Sequence, residues 1–170
     1  MTKQELLEIQ VACLKMGDGL YAVDIMRIRE IIRVPKLAPL PRALPFVEGV
    51  INLRGSVIPV VDLRKRFGLP PAENKEMARL LILSISGQPV ALMVDEVTEM
   101  ITIPMRELKA PPRGVRIVGG EYMVGLCLVR EVPVMLLNID ALLTFQEKAE
   151  LGNLSPQKRD TSTKKKSSAC

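Results

Sequence analysis

Few residues in this chain could do acid–base, nucleophilic or metal chemistry, and their spacing works against most of it. None of the 170 residues is histidine, so a Ser–His–Asp or Cys–His constellation has no general base. Cys13, Cys127 and Cys170 are far apart and odd in number. With no CxxC pair and no imidazole they do not form a zinc motif. Set in apolar runs (VACLK, GLCLV), Cys13 and Cys127 read as small core residues suited to a reducing cytosol. Neither GxxxxGK[ST] nor GxGxxG occurs, so phosphate cradling is unsupported. The densest carboxylates are Asp95, Glu96 and Glu99. Asp95 and Glu99 have the spacing to share a helix face, although a solvated acidic edge is the plainer reading. The nine methionines are scattered and read as core filler. No metal, cofactor or small-molecule substrate is expected.

What remains is a polar set inside an apolar stretch. GVINLRGSVIPVVDLRKRFG, from Gly49 to Gly68, is interrupted by Asn52, Arg54 and Asp62, and Glu30 stands upstream in IREIIRV. Asp62 precedes LRKRF and is expected to cap a helical turn there. Arg54 precedes a glycine between two apolar runs. It is either an exposed turn residue or an arginine held by a carboxylate beside an apolar groove, since the planar guanidinium binds carboxylate in two-pronged fashion. Residue types alone leave both open.

The elements that must position these groups are mostly strands. Apolar residues make up 48% of the chain and aromatics 3%, so the core must come from Val, Ile, Leu and Met, and the β-branched share favours sheet. Scarce aromatics also weigh against a base-stacking surface. EIQVACLK alternates as a strand, Gly17-Asp18-Gly19 turns, and LYAV returns. IREIIRV continues in extended or short helical form. The prolines between Val34 and Pro45 make a surface loop. Gly49–Leu53 and Val57–Val61 are strands joined by Arg54-Gly55-Ser56, and a polar linker runs from Ala72 to Ala78.

The pattern then restarts. RLLILSIS is a strand, Gly87-Gln88 a turn and PVALMV its return. YAVDIMRIREIIRVP (Tyr21–Pro35) lies over VALMVDEVTEMITIP (Val90–Pro104) without a gap, with Ala22/Ala91, Glu30/Glu99, Ile32/Ile101 and Pro35/Pro104 identical. Further on, GVINLR faces GLCLVR. These are two copies of one five-stranded unit, at about residues 17–70 and 79–137. Each can close into a small barrel and so remove its edges. Neither would be robust alone, so the two should share a core, with a binding groove at their interface. NIDALLTFQEKAEL is expected to be a helix over about 138–150, with Asn138 as cap and Ala141, Leu142, Phe145 and Ala149 on its packing face.

The net charge of +5 is local: beyond Leu154, Lys158, Arg159 and Lys164–Lys166 face a single acid, Asp160. The near-neutral body, 1–154, thus carries a basic tail, 155–170, expected to be disordered. A basic-tailed nucleic-acid-binding barrel is the rival reading from another class. No signal peptide or membrane-spanning run is evident.

At this point a resemblance becomes specific. FVEGVINLRGSVIPVVDLRKRFGL resembles the signature of the CheW-like domain family, the chemotaxis coupling proteins. The flanks GDGLYAVDIMRIREIIRV, RLLILSISGQPVALMVDEVTEMITIP and VPVMLLNIDALL extend it over roughly residues 5–145. Lys109–Tyr122 is only loosely similar, the tail has no family counterpart, and no receiver domain follows. The resemblance implies a mainly β fold of two pseudo-symmetric five-stranded SH3-like barrels sharing a core, closed by the short C-terminal helix. It implies a non-enzymatic adaptor that joins the regulatory domain of a CheA-type histidine kinase to the cytoplasmic tips of chemoreceptors. Such a protein is cytoplasmic and reaches the membrane through receptor arrays. An adaptor of a related pathway, for surface motility or a second messenger, has the same pattern. By resemblance Ile28, Glu30, Gly49 and Arg54 match receptor-binding positions, Glu30 and Arg54 as a charged pair. Val50 is expected to add apolar contact beside Ile28.

Overall fold

The computed structural model describes residues 7–152; the N-terminal six residues, the basic tail and Cys170 lie outside the described residues. Along β1 (Glu8–Met16), Val11 and Cys13 point into one apolar cluster, while Ala12, Leu14 and Met16 point into another. This is the period of two that a strand buried on both faces requires. The chain continues through β2 (Gly19–Asp24), β3 (Ile28–Arg33), β4 (Val47–Leu53), β5 (Ser56–Asp62), α1 (Leu63–Arg66), β6 (Arg79–Ile85), β7 (Gln88–Val94), β8 (Glu96–Pro104), β9 (Met123–Val129), β10 (Val132–Leu137) and α2 (Phe145–Gly152).

The strands form two five-stranded sheets, ordered β3-β6-β7-β5-β4 and β8-β1-β2-β10-β9. The orders coincide when β1 to β5 are matched with β6 to β10, so the sequence repeat is also a topological one. The sheets do not follow the halves 17–70 and 79–137, however. β3 pairs with β6, β5 with β7, β1 with β8 and β10 with β2, so every sheet draws on both copies. Similar sequence reveals which strands are alike, not which strands they pair with. The first barrel is the unbroken run β3–β7, and the second combines β1–β2 with β8–β10.

Each sheet has its own interior. Ile51, Ile58, Val60, Leu80, Ile82 and Ala91 fill the first, with Ile32 against them. Val11, Cys13, Ala22, Ile103, Cys127, Val134 and Leu136 fill the second. Both edge strands contribute to one interior, which means that each sheet curls until its edges face each other. Between the barrels lies a larger core that includes Leu14, Tyr21, Leu63, Leu81, Leu92, Leu142 and Leu151. The shared face is therefore packed rather than grooved. Truncating one of its fully buried leucines to alanine costs about 2–5 kcal/mol. Both described cysteines are free and buried, as expected. Among the methionines Met16 and Met135 are core, but Met26, Met77, Met100 and Met105 are exposed, so "core filler" holds only in part.

The C-terminal segment also departs from expectation. Residues Ile139–Leu142 form a 3₁₀ turn in which Asn138 makes no side-chain cap. The α-helix begins only at Phe145. Its cap is Thr144, whose Oγ1 accepts from the Glu147 amide (3.1 Å) while the Glu147 carboxylate accepts from the Thr144 amide (2.7 Å), a reciprocal capping box. The break rotates Phe145 into solvent while Leu142, Leu143 and Leu151 are buried. Arg66 fastens this helix. Its guanidinium donates two-pronged to Glu147 (2.7 and 3.0 Å) and to the Leu142 carbonyl (2.8 Å), and lies over the rings of Phe46 and Tyr122.

Candidate docking site

The β4–β5 hairpin turns on Arg54 and Gly55, with φ of 50° and 86°. Two consecutive left-handed residues match the twist of the flanking strands, as in a type I′ turn. Asn52 fixes the turn by accepting a hydrogen bond from the Gly55 amide (3.0 Å). So placed, Arg54 donates from Nη1 to Glu30 Oε1 (2.7 Å) and from Nη2 to Oε2 (2.9 Å). Glu30 is on β3, and β3 and β4 are the two edges of the first sheet. The pair therefore straps the seam of the barrel. Both readings of Arg54 are present at once: it is an exposed turn residue, its side chain 73% accessible, and it is held by a carboxylate. The Arg54 hydrogen bonds hold the Glu30 carboxyl below its usual range, and Glu30 raises Arg54 in turn.

The strap recurs. Glu99 on β8 pairs with Arg130 in the β9–β10 turn, where Arg130 and Glu131 have φ of 50° and 67°. Again the pair joins the two edge strands of its sheet. The repeat alignment contained both halves of this pair, as Glu30 over Glu99 and Arg54 over Arg130; it could have been found by combining them. Asp95 and Glu99 share no helix face, because Glu96–Pro104 is a strand. Asp95 instead accepts from the Gly17 amide (2.8 Å) and from Arg64 (3.4 Å).

Gly49 has a backbone task. At φ 148° a Cβ here would lie 2.3 Å from the Ala38 carbonyl oxygen. The bare backbone lets the loop after β3 return onto β4, where Ala38 and Val50 exchange two hydrogen bonds (2.9 and 2.8 Å). Val50 is half-buried on the side of β4 opposite Ile51 and Leu53, outside the barrel. A bulge between Ile28 and Glu30 turns Ile28 toward the shared core. The structure thus joins Glu30 to Arg54, sets Val50 on the neighbouring strand, and gives Ile28 a largely internal role. Asp62 caps α1 as expected, accepting from the Arg64 amide (2.9 Å). Burial pushes its carboxyl up despite that hydrogen bond.

The copies differ on their outer faces. Where the first repeat has Glu48 and Asn52, the second has Val124 and Leu128, which are 57% and 65% exposed. The sequence offered this substitution in the same register, but exposure decides its meaning: an apolar strip facing solvent on β9.

The CheW-like domain profile matches residues 10–147. The chain belongs to the CheW-like domain family. Chemotaxis protein CheW of Treponema pallidum is 29% identical over 151 residues, spanning 86% of this chain and 89% of that protein. CheW of Bacillus subtilis is 38% identical over 96 residues, or 56% of this chain and 62% of that protein. The crystal structure of the scaffolding protein TtCheW from Thermoanaerobacter tengcongensis superposes with a TM-score of 0.76 at 27% identity, covering 86% of this chain and 95% of that one. The CheW-like fold and the role of chemotaxis adaptor follow: the chain is a scaffold, not an enzyme. Among the described residues no helix is long and apolar enough to cross a membrane.

Proposed function

We propose that this CheW-like chain couples the cytoplasmic tips of chemoreceptors to the regulatory domain of a CheA-type histidine kinase, in the cytoplasm and at the membrane through receptor arrays. The observation that carries this reading is the Glu30–Arg54 strap. It fixes a guanidinium at the rim of a hollow lined by Leu53, Ile58, Ile82 and Pro89. A helical hairpin docks on such a mix of apolar contact and one oriented charge. Glu30, Arg54 and Val50 meet the receptor; Gly49 and Ile28 shape the strands that present them. An adaptor must hold two partners at once, so a second, separate surface is required. The exposed apolar pair Val124 and Leu128 on β9 supplies it and takes the kinase.

The test is co-purification with receptor cytoplasmic hairpins and kinase from the same host. Arg54→Ala is expected to lose the receptor and keep the kinase, and Leu128→Asp to do the reverse, with unchanged circular dichroism. Failure of the wild-type chain to recover either partner refutes the coupling role. Full receptor recovery by Arg54→Ala refutes the site.

A further inference from the structure

The first barrel carries basic side chains that its fold does not use. Arg27, Arg64, Arg66 and Arg130 each engage a carboxylate, as Arg54 does. Arg29 and Arg33 on β3, and Lys36 and Arg42 in the loop that follows, are exposed and have no carboxylate partner among the described residues. Arg29 and Arg33 flank the half-buried Ile31 on one face of the strand. Arg33 also sits directly opposite Arg79 of β6, an arrangement that costs stability, because like charges face each other across the pair.

The repeat shows what the barrel needs at these positions. In the gapless alignment Arg29 and Arg33 fall on Thr98 and Thr102. The second copy builds the same edge strand with threonines, so the charges are dispensable for folding. Glu30, the acid beside them, is already occupied by Arg54. The row is one strand wide and is interrupted by Ile31, and its first member, Arg29, lines the hollow in which Leu53, Ile58, Ile82 and Pro89 meet Glu30, Arg54 and Ser56. A phosphate backbone or lipid surface gains from charge alone. Arginines framing apolar contact instead fit the rim of a protein interface.

We propose that the partner segment docked on the first barrel presents acidic side chains to Arg29 and Arg33. These arginines then set which partner is accepted and how fast it docks. The inference rests on the reading that the receptor hairpin binds at the Glu30–Arg54 seam, and it names the chemistry of that partner.

The test uses the full chain and the cytoplasmic hairpin of the host's receptor, with binding followed by fluorescence anisotropy at low and high salt. Arg29→Glu with Arg33→Glu is expected to weaken binding about tenfold at 50 mM NaCl and less than about threefold at 500 mM, because exposed charges are screened. Arg29→Thr with Arg33→Thr, the residues of the second copy, should give an intermediate loss with an unchanged melting temperature. Unchanged affinity and salt dependence in the reversal variant, while Arg54→Ala still weakens binding, overturns the acidic-partner inference and leaves the docking site standing. If neither variant weakens binding, the docking site falls and this inference with it. Phosphatidylserine vesicles and a short DNA duplex serve as further probes. Wild-type binding to either, lost on charge reversal, assigns the row to that polyanion and overturns the proposal.

Discussion

Replacing Gly49 by alanine separates a structural glycine from a docking residue. The new Cβ would lie 2.3 Å from the Ala38 carbonyl oxygen and 3.0 Å from its carbon. Both atoms are backbone, so relief requires the loop to leave β4. Two hydrogen bonds between Ala38 and Val50 go with it, about 2 kcal/mol in total. A φ of 148° adds about 1–3 kcal/mol for a residue with a side chain. The sum, about 3–5 kcal/mol, is a large share of a typical stability of about 5–15 kcal/mol. Gly125, its counterpart, is the control. A Cβ there meets the Lys109 carbonyl oxygen at 3.2 Å without a left-handed backbone, so Gly125→Ala should cost no more than about 1–2 kcal/mol. Urea denaturation of both variants measures the difference. Equal costs, or a Gly49 variant within about 1 kcal/mol of wild type, would refute the close-approach argument and return Gly49 to the docking surface. If the argument holds, Gly49→Ala impairs receptor coupling by moving β4, and kinase recovery on the second barrel survives at temperatures where the fold persists.

Three further outcomes follow from the same geometry. Arg66→Met should cost about 2–4 kcal/mol by leaving Glu147 unpaired, and should expose Leu143–Gly152 to limited proteolysis. Burial acts to raise the Glu147 carboxyl, but the Thr144 amide and Arg66 outweigh it and leave it lowered. The stability it contributes is therefore present above the unfolded carboxylate range and is lost as pH falls through the folded value, so α2 should detach first on acidification. Asp62 has the opposite sign: raised by burial, its contribution is present at acid pH and lost as pH rises through the folded value. Asp62→Asn keeps the cap acceptor and should raise the melting temperature at pH 7 by roughly 1–3 °C, an advantage that disappears below about pH 4; a lower melting temperature at pH 7 would contradict this. Burial pushes the Cys13 thiol up to about 11, with Glu99 and Cys127 adding to it. At pH 8 only about one molecule in a thousand carries the thiolate, so alkylation followed by mass spectrometry should mark Cys13 only as the chain unfolds.

The strands and their duplication were legible because they rest on local, repeated signals. Alternation in EIQVACLK and the gapless match of Tyr21–Pro35 to Val90–Pro104 needed no tertiary knowledge. Asp62 was read correctly for the same reason, since a cap acts within its own turn. Strand pairing was not legible: nothing in a repeat states that β10 will run parallel to β2 rather than close on its own copy. The helix over 138–150 failed where a helical period was carried across Leu143–Thr144, although TFQE already contained the stronger capping signal. Gly49 was singled out only by resemblance, and its close approach to Ala38 was not legible because Ala38 arrives from across a proline-rich loop. Arg54 was undecided because only the fold brings β3 back to the β4–β5 turn.

The insertion of one barrel into the other also times assembly. The first barrel needs only the continuous run from Ile28 to Val94, so it can close while the ribosome is still adding residues. The β1–β2 hairpin, made before it, must wait with unpaired edges until β8 and β10 emerge. The strip on β9, which only β10 joins to the sheet, is therefore the last surface to be finished. A growing chain thus completes the Glu30–Arg54 seam before the β9 strip exists, so a product truncated after Val94 would carry the first of the two proposed docking surfaces without the second.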